Sequence, residues 1–131
     1  MGWDAHATHL NKKHVGLIWH RKSDTYIISN HKLRVAFKNA SRKVKRKTGT
    51  VDGFLAIGGL DCSACALALE NAMGMNCWGN GYSPTEVKEF YKSAWWEDAH
   101  EEDPKHQWAV ESAKAFLSVC VRHGLGITFS W

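Results

Sequence analysis

The segment GGLDCSACALALENAMG, residues 58–74, constrains this chain more than any other stretch. Asp61 stands where an N-cap belongs, the residues from Cys62 to Met73 are strong helix formers, and Gly74 ends the run. The two glycines ahead let the backbone turn sharply before Asp61. A cysteine therefore opens a helix of small residues, and the fold has to be built around that helix start. Helix N-termini present unpaired N–H groups and the positive end of the macrodipole, which favour a thiolate and an oxyanion formed next to it.

The flanking segments predict an α+β chain. HVGLIW (14–19) and TYIISN (25–30) are β-branched and aromatic runs split by the polar HRKSD, the pattern of a hairpin. KLRVAF (32–37) alternates, with Leu33, Val35 and Phe37 on one face, and predicts a third strand. SRKVKRKTGT (41–50) predicts a basic loop and NCWGNGY a second loop. Ser83, Pro84 and Glu86 predict a capping box opening a helix that runs through Trp95 or Trp96. EDAHEED predicts an acidic loop; Asp103 and Pro104 open a further helix that runs to about His123, and GITFSW is a last strand.

Composition sets outer limits. At 131 residues, 44% hydrophobic and 23% charged, the chain predicts one domain spanning residues 1–131. Its net charge of +4 is concentrated in the basic stretch, which points to a local anionic or protein contact through Arg42, Lys43, Lys45, Arg46 and Lys47. No run reaches the roughly 18 apolar residues of a membrane span, and histidines occupy the place of a signal core, so a cytoplasmic protein is expected. Four cysteines are too few for a disulfide scaffold and read as reduced thiols, with Cys65 in the core.

A thiol hydrolase needs a base, and the candidate is His14, which opens the first strand on the same face as Gly16. The group that orients the base is expected near the end of the facing strand, at Ser29, Asn30 or His31. Asp61 and Ser63 flank the nucleophile at the helix start. GGLDCSACALALENAMG resembles the signature around the nucleophile of NlpC-type cell-wall peptidases, and HVGLIWHRKSDTYI resembles the hairpin that carries their base. The order here, hairpin before cysteine helix, is similar to the circularly permuted branch that includes lecithin retinol acyltransferase-like proteins.

The resemblance covers roughly residues 12–74. It implies a papain-like fold in which a small antiparallel sheet packs on the cysteine helix, with Cys62 as nucleophile and His14 as base. The implied function is hydrolysis or acyl transfer at an amide or ester of a peptide or small molecule through a thioester, with no metal or organic cofactor.

Three other readings stand beside it. Cys62 followed by His123 is an unpermuted pair; Cys62, Cys65, Cys120 and His123 have the spacing of a small zinc site. A protein without turnover would instead bind a macromolecular partner through the basic stretch and exposed tryptophans, since Trp95 and Trp96 cannot both face inward on one helix.

Overall fold

The structure is a computed structural model that describes residues 2–9, 17–20 and 25–131, with residues 17–20, 25 and 26 as backbone. Six strands are described: β1 (Asp4–Thr8), β2 (Leu17–His20), β3 (Thr25–Ile28), β4 (Gly59–Leu60), β5 (Gly81–Tyr82) and β6 (Gly126–Ser130). Five α-helices accompany them: α1 (His31–Thr48), α2 (Ser63–Met73), α3 (Pro84–Lys92), α4 (Trp96–Glu102) and α5 (Gln107–Arg122). The chain is thus α+β, with a four-stranded antiparallel sheet in the order β4-β1-β6-β5 and a separate β2-β3 pair.

The sheet is assembled around β1 and β6, paired from Asp4↔Ser130 to Thr8↔Gly126. Ala5 lies opposite Phe129 and Ala7 opposite Ile127, and all four side chains are buried, so this is the face on which the helices pack. Val110, Ala113, Phe116, Leu117 and Cys120 of α5 are buried in the same core. Phe116 meets Phe37 of α1 at a ring-centroid distance of 6.2 Å, tying α1 to the same core.

The two glycines of the opening segment have distinct jobs. Gly58 adopts the left-handed φ of 83° that closes a short 3-10 turn at Leu55–Ile57. Gly59 lies against β1 so closely that a Cβ would come within 2.6 Å of the Ala5 carbonyl oxygen. Together they deliver the chain from a turn into β4, and from β4 into α2.

Several expectations are corrected. Residues 32–37 are not a third strand, and the basic stretch is not a loop: both belong to α1, an 18-residue helix. Asn30 caps it, its side-chain oxygen accepting the Leu33 N–H at 3.1 Å, and Gly49 ends it at φ 83°. Leu33, Phe37 and Val44 form the buried stripe at helical spacing, which overrides the short alternation. Val35, expected on the same face as Leu33 and Phe37, is exposed.

The helix opened by the Ser83–Glu86 capping box stops at Lys92, short of Trp95, and the acidic stretch is α4. Asp103 and Pro104 open a single 3-10 turn, Pro104–His106, before α5 begins at Gln107. The final strand lies where expected, as β6, and the two runs expected to form a hairpin pair as β2 and β3 from Leu17↔Ile28 to His20↔Thr25.

Candidate functional site

Two regions contain residues singled out by the sequence. The first is the start of α2. Cys62, not Asp61, is the N-cap, with extended φ and ψ of −107° and 131°, and Ser63 is the first helical residue. Cys62 is half-buried, whereas Cys65, Cys77 and Cys120 are buried. Burial pushes the Cys65, Cys77 and Cys120 thiols up, Cys77 to about 12, so these three are inert at neutral pH.

The residue that organises this helix start is Asp52. The residue is 2% exposed, and its carboxylate accepts backbone N–H groups from Phe54 (2.9 Å), Asp61 (3.0 Å) and Cys62 (3.2 Å), and the Cys65 thiol at 3.4 Å. Its own N–H donates to Ser112 Oγ of α5 at 3.1 Å. The Asp52 side chain therefore closes the 52–54 turn and fixes the backbone that enters α2, while the Asp52 backbone N–H ties both to α5. Asp61, exposed on the rim, has its carboxyl pushed up to about 6 by partial burial and by the neighbouring Asp52 carboxylate.

This arrangement bears directly on acyl chemistry. The Cys62 N–H, a donor the oxyanion would use, is already given to Asp52, and a second carboxylate, Asp61, lies beside it in sequence. His14 lies outside the described residues. Asn30 and His31 do not end a strand: Asn30 caps α1, and the His31 ring lies 2.9 Å from the Arg34 guanidinium one turn on. Among the described residues no three His, Cys, Asp or Glu side chains group as a metal site, so Cys62, Cys65, Cys120 and His123 do not converge.

The second region is the surface of α1. Eight of its eighteen residues are Lys or Arg and none is acidic. Helical spacing divides the cations between two faces. Lys38, Arg42, Lys45 and Arg46 are exposed on the side opposite Leu33, Phe37 and Val44. Lys43 and Lys47 instead border a groove of about 350 Å³ between α1 and α5. Its lining includes Ala36, Ala40, Val44, Ala115, Val119 and the α3 residue Tyr91, with Lys114 and Arg122 contributed by α5.

Glu111, at one end of the groove, is already neutralised. Lys47 Nζ lies 2.6 Å from its Oε1, and His100 Nε2 2.9 Å from its Oε2. Burial works to raise the Glu111 carboxyl, but the hydrogen bonds and charge of Lys47 and His100 outweigh it and hold the group below its usual value. The five basic residues expected to act together thus lie on one helix but point two ways.

Sequence reasoning overlooked Asp52, although VDGF carries the Asp-Gly turn pair in which Asp accepts the N–H two residues on. The groove had no signal in the sequence, because it arises from α1 and α5 meeting in space. No family model, curated protein or solved structure matches the chain.

Proposed function

We propose that this protein is a binding module that engages the phosphate backbone of a nucleic acid through the outer face of α1. The observation that carries the reading is the row Lys38, Arg42, Lys45 and Arg46 on one exposed face of a helix without acidic residues. Among the described residues, Lys47 on the groove side is the α1 cation held in an ion pair with a carboxylate, leaving the outer row to meet an external anion. Protein partners are held mainly by buried aromatic and apolar anchors, whereas phosphate contacts require charge and rigidity. The outer face offers only Val35 as an exposed large apolar side chain, which favours phosphate.

The test is fluorescence anisotropy with a labelled duplex across a salt series. Binding weakens steeply with salt, with a log–log slope of about −0.9 for each phosphate contact. Replacing Lys38, Arg42, Lys45 and Arg46 by Ala flattens that slope. A protein that fails to bind the duplex at low salt, or a variant that binds as tightly as the parent, refutes the reading.

The thiol reading keeps one supporting observation: of the four cysteines, Cys62 alone is only half-buried, and it sits at a helix N-cap. Its chemistry is a thiolate at Cys62 attacking an amide or ester carbonyl, with His14 taking the thiol proton and giving it to the amine or alcohol that leaves, and water or another acceptor then releasing the thioester. Site-resolved iodoacetamide labelling against pH decides it. Fast labelling of Cys62 that is lost in His14→Ala supports a thiol–base pair, and slow labelling indifferent to His14 removes it.

A further inference from the structure

We infer that the groove between α1 and α5 is a self-association site, and that its occupant is the Trp95–α4 segment of a second copy of this chain. The inference is independent of the outer α1 face, which stays open in such a pair.

The groove has an apolar floor of Ala36, Ala40 and Val119 and a cationic rim of Lys43, Lys114 and Arg122. Its one acidic lining residue, Glu111, already has two partners, so the rim is available to an anionic occupant with an apolar side. The same chain presents that combination. Trp95 is 68% exposed, and it directly precedes a helix whose Glu97, Asp98, Glu101 and Glu102 are all exposed. The Trp95 backbone N–H donates to the Ala72 carbonyl of α2 at 2.7 Å, which anchors the segment carrying the indole. An aromatic on a fixed backbone costs little conformational entropy to bury.

The two complementary patches adjoin on each molecule. Tyr91 borders the groove and its ring packs 6.3 Å from that of Trp96, the first residue of α4. Neighbouring patches of opposite character permit a two-fold pair in which each copy gives α4 and receives it, so association closes at two.

The test measures solution mass by light scattering or sedimentation at low and high salt, on the full chain and two charge-reversed variants. One carries Lys43→Glu, Lys114→Glu and Arg122→Glu; the other carries Glu97→Lys, Asp98→Lys and Glu101→Lys. Lys47 and Glu111 stay unchanged, and circular dichroism confirms that both variants fold. The parent is a dimer at low salt, and each variant alone weakens self-association by about tenfold or more through like-charge contacts. An equimolar mixture of the two restores a dimer, because both reciprocal contacts are then complementary. Trp95→Ala shifts the parent towards monomer without affecting its fold. A monomeric parent, variants that dimerise like the parent, or a mixture of folded variants that stays monomeric overturns the inference, as do open-ended oligomers.

Discussion

Lys47 Nζ lies 2.6 Å from Glu111 Oε1, joining the last turn of α1 to the second turn of α5, while His100 of α4 approaches the other carboxylate oxygen at 2.9 Å. Three helices meet at one mostly buried side chain, and α1 is held by an acid although it has none of its own.

Replacing Glu111 by Ala is expected to lower stability by roughly 1–3 kcal/mol, since the carboxylate accepts two hydrogen bonds from groups that can be charged. The pH dependence has a definite sign. The Glu111 carboxyl is held below its unfolded value, so its stabilisation is fully present above about pH 4.3 and is lost as the pH falls further. Urea titrations of the parent and Glu111→Gln between neutral and acid pH should converge as that window is crossed.

Asp52→Ala should be the more damaging change. It leaves the N–H groups of Phe54, Asp61 and Cys62 without their carboxylate, at an expected cost of about 2–4 kcal/mol. Chemical denaturation measures that cost. Alkylation supplies a second readout, because loosening the α2 start exposes Cys65, which is buried in the parent.

Asp61 has the opposite sign from Glu111. Its folded value is raised to about 6, so its contribution favours the fold below its unfolded value near pH 3.9 and is lost as pH rises through 6. Asp61→Asn should therefore stabilise the protein at neutral pH, by only about 0.5–1 kcal/mol because solvent screens an exposed carboxylate. The gain should vanish near pH 4. Thermal melts at both pH values check this.

Asn30→Ala separates the capping role from a catalytic one. Losing the Leu33 N–H contact should cost about 1 kcal/mol of stability. The iodoacetamide rate at Cys62 should stay unchanged, whereas a residue orienting the base of a thiol pair would alter that rate.

Local signals with a complete set of partners were legible. Ser83 and Glu86 satisfy each other within one turn, and the α2 run and its Gly74 stop require no distant residue. The α1 segment misled because Leu33, Val35 and Phe37 fit a strand over six residues, while the helical stripe becomes visible only when Val44 is included. Strand β1 carried no comparable signal: its alternating alanines become strand residues through pairing with β4 on one side and β6 on the other. At the candidate site, the half-buried cysteine could be read from its position at a helix start. The buried carboxylate that holds its N–H could not, because that contact depends on a tertiary fold.

The pairing of Asp4 with Ser130 and of Thr8 with Gly126 has a kinetic meaning. Almost the whole chain separates these partners, so loop-closure entropy opposes their meeting until intervening helices have shortened the distance. During synthesis, β1 emerges before the other described elements yet lacks its main neighbour until residues 126–130 follow, leaving one backbone edge open while the intervening residues are made. Helix formation can proceed locally in that interval, and completion of the sheet is left to a late, long-range event.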